Sequence, residues 1–287
     1  MLIAFVGDVH GRAFHALAAL VTLQEQLETH FDFIVQVGDL GFPDPERADV
    51  FSKRYLEADP AEGDLTRLLV ATGSRAEALR RMRGRLTGAM HFVRGNHEDV
   101  PWLNGLPVDA GARTAPADPF DLLRYVPDGS VLDISGLRMA FLGGVEELPG
   151  DAAIDRAAYG ALLELGPGSI DLLVTHEGPY GSSRGYRGDV LGSQLMTDLV
   201  TRLRPAFHVF GHAHQRLGPE RLGETAYLGV DALVASAIWQ PDARGLKAGC
   251  LAVLDTETRE LRHVDEGWLG AFPTPFDFDE WAEAVMG

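Results

Sequence analysis

Phe207-His208-Val209-Phe210-Gly211-His212-Ala213-His214 carries a mostly apolar run into a glycine and then sets two histidines one residue apart. A strand built this way delivers two imidazoles at its tip. The construction recurs four times. Leu2-Ile3-Ala4-Phe5-Val6 leads into Gly7-Asp8-Val9-His10-Gly11, and Phe33-Ile34-Val35-Gln36-Val37 into Gly38-Asp39. Met90-His91-Phe92-Val93-Arg94 leads into Gly95-Asn96-His97-Glu98, and Ile170-Asp171-Leu172-Leu173-Val174 into Thr175-His176. Short runs rich in Val, Ile and Phe and bounded by Gly read as strands buried on both faces. In sheets of that kind, sites gather at the carboxyl ends of the strands, so the polar residues are expected to converge at one edge.

Between these stretches the pattern turns helical. Phe14, Leu17, Leu20, Val21 and Leu27 predict a helix over residues 12–28, while Gly41-Phe42-Pro43-Asp44-Pro45 breaks regular structure. Residues 75–85 hold five arginines on a helix-like stretch, expected to form a solvated face. Val131–Ile134 and Leu137–Leu142 around Ser135-Gly136 predict a β-hairpin, and further helices are expected over residues 151–165 and 191–203. Strands are expected at residues 225–228, 232–238, 249–254 and 260–264. The whole predicts an α/β protein, a four-layer α/β/β/α sandwich of two stacked mixed β-sheets flanked by helices. No repeat, low-complexity tract or linker marks a boundary. One domain over residues 1–287 is expected, with a helical insertion at about 43–88 and an aromatic-acidic tail at about 265–287.

With 46% hydrophobic and 23% charged residues, the chain has the composition of a packed globule, which argues against disorder. The net charge of −17 repels polyanions, so long nucleic acid is a poor partner, although a small phosphate ester can still be drawn to a metal-filled cleft. Apolar runs are too short to span a bilayer, so no membrane partner is expected. The chain enters a strand at once, without a basic leader, and its lone Cys250 sits in an apolar stretch; a cytoplasmic protein is expected. Oligomeric state is left open.

The strand-tip donors are Asp8, His10, Asp39, Asn96, His176, His212 and His214. Imidazole mixed with carboxylate and amide oxygen suits manganese foremost, or iron, zinc, nickel or cobalt, better than calcium or magnesium. Seven donors exceed the needs of one ion. Two divalent transition-metal ions sharing a carboxylate is the economical arrangement, with Asp39 as the natural bridge.

The five motifs D-x-H, G-D, G-N-H-[DE], a lone His after a strand and G-H-x-H stand in order across residues 7–214, and in this the sequence closely resembles the calcineurin-like metallophosphoesterase superfamily. The resemblance implies that Asp8, His10, Asp39 and His214 hold one ion and Asp39, Asn96, His176 and His212 the other. It further implies that His97 is a histidine that binds no metal and serves as general acid, with Glu98 orienting a histidine. Two ions roughly 3.5–4 Å apart can share a hydroxide for in-line attack on phosphorus. A general acid adds on the order of 10² to 10⁴ in rate. A phosphomonoesterase or phosphodiesterase acting on a small or nucleotide-like substrate is expected. The alternatives are a non-catalytic scaffold of the same fold and a nuclease.

Gly38-Asp39-Leu40-Gly41-Phe42-Pro43 lacks the arginine that protein phosphatases of that superfamily carry after this motif, which disfavours a protein substrate. Substrate contacts are therefore expected from Arg12 and from Tyr180, Arg184, Tyr186 and Arg187 in the loop after His176, since guanidinium forks suit phosphate and tyrosines can stack on a base. His15, His30, His91, His208 and His263 are expected to be structural.

Overall fold

The structure, a computed structural model, describes residues 1–47, 50–185, 187–265, 267–273 and 275–286. The strands in chain order are β1 (Leu2–Val6), β2 (Phe33–Gln36), β3 (Met90–Phe92), β4 (Ala115–Pro116), β5 (Leu123–Tyr125), β6 (Val131–Ile134), β7 (Leu137–Leu142) and β8 (Leu172–Thr175). They continue with β9 (Ser183–Arg184), β10 (Val190–Leu191), β11 (Phe207–Phe210), β12 (Leu217–Leu222), β13 (Thr225–Gly229), β14 (Leu251–Asp255) and β15 (Glu260–His263). Two large mixed sheets result, ordered β15-β14-β1-β2-β3-β5-β4 and β12-β13-β11-β8-β7-β6. β1, β2, β3 and β5 run parallel in the first sheet, as do β7, β8, β11 and β13 in the second.

The alternation of side chains along β1 explains the layering. Ile3 and Phe5 face the second sheet, in a buried layer with Val35, Val37, Phe141, Val174 and Val209. Ala4 and Val6 face outward, under the helix Ala13–Gln26. The helices Arg156–Leu163 and Gln194–Leu203 cover the second sheet in the same way, through Leu162, Met196, Leu199 and Leu203. Each fully buried Phe or Leu of these layers stabilises the fold by roughly 1.5–3 kcal/mol relative to leaving it in water. The fold is thus α/β with helices on both outer faces of two stacked sheets, as the sequence predicts.

Between β2 and β3 lie the helices Val50–Ala58, Asp64–Leu69 and Gly73–Arg85. The last is the arginine-rich stretch, and its cations pair across the surface: Arg75 with Asp279, Arg83 with Asp121 and Arg85 with Glu25. At the other end of the chain, the helix Phe278–Met286 packs beside it, and Phe278 stacks on Phe14 with ring centroids 4.4 Å apart. The hairpin turn forms at Ser135-Gly136, where both residues have positive φ, as a tight two-residue turn requires.

One predicted strand does not form. Residues 232–238 join neither sheet: β13, before them, is flanked by β11 and β12, and β14, after them, by β1 and β15. Instead Leu233 donates its N–H to the carbonyl of Asp8 and accepts from Lys247, so the segment runs as a loop past the tip of β1. Among the described residues, no helix is long and apolar enough to cross a membrane.

Candidate metal centre and the cavity beside it

Every motif sits just past the carboxyl end of a parallel strand. Asp8 and His10 follow β1, Asp39 follows β2, Asn96 and His97 follow β3, His176 follows β8, and His212 and His214 follow β11. Both sheets therefore deliver donors to one edge. Asp8, His10, Asp39 and His214 form one group, and Asp39, His176 and His212 a second; within each group one donor atom per residue lies within 4.8 Å of the others. Asp39 belongs to both.

Backbone bonds hold the loops in register. Val9 and His10 both donate to the Asp39 carbonyl, at 3.0 and 2.7 Å, and Gly11 to that of Leu40 at 2.7 Å. The Asp39 carboxylate in turn accepts from the N–H groups of Asn96 and His97, each at 2.8 Å. Asp8 accepts from the N–H of His212 at 3.0 Å. Glu98 does not touch a histidine in these bonds; it ties backbone to backbone, accepting from Leu40 at 2.6 Å and Gly95 at 2.7 Å. His10, Asp39, His212 and His214 all have positive φ. Left-handed backbone costs roughly 1–2 kcal/mol per non-glycine residue, so four such residues in one site are held there by their surroundings.

Two glycines are dictated by close approach. A Cβ on Gly95 would lie 2.1 Å from Asp39 Oδ1, and one on Gly211 would lie 2.3 Å from Asp8 Oδ1. No larger residue leaves room for these carboxylates.

The electrostatics favour a cation. Burial pushes the Asp39 carboxyl up, but the surrounding histidines His176, His97, His10 and His212 outweigh it and hold it well below the usual range. Asp8 is likewise raised by burial and lowered on balance by its hydrogen bond to His214. Burial pushes His10 down to about 3 and His212 to about 4, so both rings are neutral at pH 7 with lone pairs available. His10 Nε2 and His214 Nε2 point at each other across 2.9 Å, and His214 Nε2 lies 3.0 Å from Asp8 Oδ2. His176 donates Nδ1–H to the Val37 carbonyl at 2.9 Å, and its Nε2 lies 3.1 Å from Asn96 Oδ1 and 3.5 Å from Asp39 Oδ1. A carbonyl facing the far nitrogen of a ligating histidine fixes its tautomer. The residues fit a pair of divalent ions.

Beside the first group opens a cavity of about 290 Å³, bordered by His10, His97 and His214. Its remaining walls come from outside the motifs: Tyr55 and Glu62 from the helical segment, and Ala232, Val234 and Trp239 from the loop after β13. Trp239 donates its indole N–H to the Tyr55 hydroxyl at 2.9 Å, which closes the two walls over the cavity. Reading residues 232–238 as a strand misses this wall; its signal in the sequence is a large aromatic, Trp239, just before Gln240-Pro241-Asp242. A wider groove of about 760 Å³ near Phe33, His91 and Arg113 is lined by none of the strand-tip donors, whereas the smaller cavity opens beside them.

Of the expected substrate contacts, Arg12 lines this cavity, but it is buried and engaged, donating to Asp59 at 2.9 Å and to Glu62 at 2.8 Å. Burial raises Glu62 to about 7 even against that guanidinium. Tyr180, Arg184 and Arg187 are exposed and do not line the cavity. The Arg184 guanidinium turns back onto the carbonyls of Gly181 and Ser183. Tyr186 lies outside the described residues. Three of the other histidines have partners: His208 meets Thr175 Oγ1 at 2.8 Å, His263 donates to the Gly229 carbonyl, and His91 stacks on Phe33.

Fold and site together define a two-sheet α/β sandwich with a carboxylate–imidazole centre at its strand tips. The chain belongs to the calcineurin-like phosphoesterase family, whose model matches residues 1–216. Two proteins of Caenorhabditis elegans share short stretches with it. UPF0046 protein C25E10.12 is 34% identical over 68 residues, which is 22% of this chain and 24% of that protein. UPF0046 protein K07C11.7 is 31% identical over 62 residues, 22% of this chain and 21% of that protein. The matches thus span less than a quarter of the length of these relatives. The crystal structure of TT1561 of Thermus thermophilus superposes with a TM-score of 0.51 at 17% identity, over 92% of this chain and 97% of the other. A second crystal structure gives 0.53 at 14% identity, over 92% and 98%. At such identity these two show the fold alone.

Proposed function

We propose that this protein hydrolyses a small phosphate ester at a centre of two divalent metal ions, manganese foremost. Asp8, His10, Asp39 and His214 would hold one ion, and Asp39, Asn96, His176 and His212 the other. The observation that carries this reading is the convergence of two donor groups on one shared carboxylate, Asp39. Divalent ions in such a set supply Lewis acidity, which acidifies water and draws charge from a phosphoryl oxygen.

The chain's own residues do the rest. His10, His97 and His214 border the cavity, so a phosphoryl group entering it meets imidazoles on one side. His97, whose ring centroid lies 5.5 Å from that of His10, protonates the leaving oxygen as the P–O bond breaks. His97 regains its proton from the attacking water, whose other proton stays on the phosphate product. Asp39 is fixed in place by the two N–H groups of Asn96 and His97, which are the residues following Gly95. Any movement of the β3 tip therefore moves both the shared carboxylate and the acid.

The test is turnover of bis-p-nitrophenyl phosphate and p-nitrophenyl phosphate by chelator-stripped protein, with manganese, nickel, cobalt, zinc or magnesium restored one at a time. Metal-dependent turnover that vanishes in Asp39→Ala is the expected result. Silence with every metal, from protein shown to hold two ions, overturns the enzyme reading.

A further inference from the structure

Lys247 lies in the loop before β14, beyond the residues 1–216 that the family model matches, yet its bonds reach the candidate metal centre. Its ammonium donates to the carbonyl of His214 at 3.2 Å and to Asp231 Oδ1, and its N–H donates to the carbonyl of Leu233 at 3.0 Å. Leu233 in turn donates its own N–H to the carbonyl of Asp8 at 2.9 Å, and Asp8 Oδ2 lies 3.0 Å from His214 Nε2. These contacts close a ring that runs Asp8, Leu233, Lys247, His214 and back to Asp8. Two residues of one donor group are thus tied together through two that belong to neither group.

The outer side of the ring is itself anchored. Asp231 is buried, accepts from the N–H of Ala232 at 2.7 Å and donates its own N–H to the carbonyl of Gly249 at 2.9 Å. Its carbonyl presses on the tip of β1, where a Cβ on Gly7 would lie 1.8 Å from it. His214 has most need of such an anchor. Its side chain is 46% exposed, against 20% for His10 and 2% or less for Asp8 and Asp39, so packing does least to hold it. Its φ of 49° is also left-handed, a conformation that costs roughly 1–2 kcal/mol and reverts unless the main chain is held.

We propose that Lys247 is a positioning residue for His214: it fixes the peptide of that histidine against residues 231–233, so that the ring stays with Asp8, His10 and Asp39 as one donor set. This rests on the two-metal reading of the site, though not on turnover. A lysine suits the task because three N–H donors on one nitrogen reach the Asp231 carboxylate and the His214 carbonyl at once. The charged hydrogen bond to a buried carboxylate keeps the ammonium in place. The cavity wall at Ala232 and Val234 is thereby coupled to a metal donor, since Leu233 between them is a member of the ring.

Calorimetric titration of manganese into the chelator-stripped full chain tests this without recourse to activity. Lys247→Met is expected to weaken one of the two manganese affinities about tenfold or more, the usual weight of an outer partner of a ligating residue, and to leave the other unchanged. Lys247→Arg should restore most of the loss. In His214→Ala protein, Lys247→Met should weaken manganese no further, because no ring is then left to place. Methionine also strands the buried Asp231 carboxylate, so Lys247→Met/Asp231→Asn is titrated alongside and should show the same selective loss with less effect on the melting temperature of the stripped protein. Both affinities unchanged, both weakened alike, or the same loss with and without the His214 ring overturns the proposal. The selective loss without turnover of any phosphate ester leaves the role of Lys247 standing and removes the enzyme; turnover with manganese affinities unchanged in Lys247→Met does the reverse.

Discussion

His176 and Val37 join the two sheets at the metal edge: the ring of one, at the tip of the second sheet, donates to the carbonyl of the other, at the tip of the first, across 2.9 Å. The same bond orients the ring that faces Asn96 and Asp39. His176→Ala is therefore expected to cost one ion while leaving the group around Asp8 and His10 loaded. Metal counting by mass spectrometry on dialysed protein should fall from about two ions per chain to about one. Asp39→Ala, which removes the shared carboxylate, should fall below one.

His97 borders the cavity and belongs to neither donor group. His97→Ala should keep the metal count and lose about 10² to 10⁴ in kcat, most for a poor leaving group. Equal losses on alkyl and p-nitrophenyl esters would remove it as the proton donor.

Gly95 has no space for a side chain, since its Cβ would meet both the Oδ1 and the N of Asp39, at 2.1 and 2.4 Å. Gly95→Ala should lower metal content and thermal stability together. Gly84→Ala, in a helix with nothing within 4 Å of its Cβ, should instead stabilise by about 0.5–1 kcal/mol. Thermal unfolding of the two variants with and without manganese separates the effects.

Much of this site was legible because a strand tip leaves a local signature: an apolar run, a glycine, then donors. The chain could be read for Asp8, Asp39 and His212 without knowing how the sheets stack. The hairpin at Ser135-Gly136 and the helix Ala13–Gln26 were legible for the same reason, a pattern complete within its own segment. What could not be read depends on distant partners. Residues 232–238 carry strand-like composition, but Leu233 bonds to Asp8 and Lys247, and only the sheet order shows that β13 and β14, on either side of the segment in sequence, already have both neighbours. Arg12 is similar: an arginine after a motif invites a phosphate, and nothing nearby in sequence announces Asp59 and Glu62, which lie 47 and 50 residues further on.

Acid should unfold the protein through His208. Burial holds its ring neutral, with a pKa lowered from 6.5 to about 3. The unfolded chain takes up the proton first, so stability is full above pH 6.5 and declines as pH falls toward 3. At pH 4 this one ring costs about 3 kcal/mol. Denaturant titrations of wild type and His208→Gln between pH 4 and 7 check the slope, which should be shallower in the variant.

The core between the sheets sets the baseline for these comparisons. Phe141 is fully buried there with Phe5, Val174 and Val209. Phe141→Ala should cost about 3–5 kcal/mol in chemical denaturation, without altering the metal stoichiometry of the protein that remains folded.

The Tyr55–Trp239 bond bridges two segments that hang from strand ends and contribute no residue to either donor group. The donor groups and the outer walls of the cavity beside them are thus written in separable pieces of chain. Insertions or exchanges within residues 50–63 and 232–240 would reshape the cavity while the strand-tip donors stay as they are. Related chains could then diverge in what fits beside the donor groups through these two stretches alone.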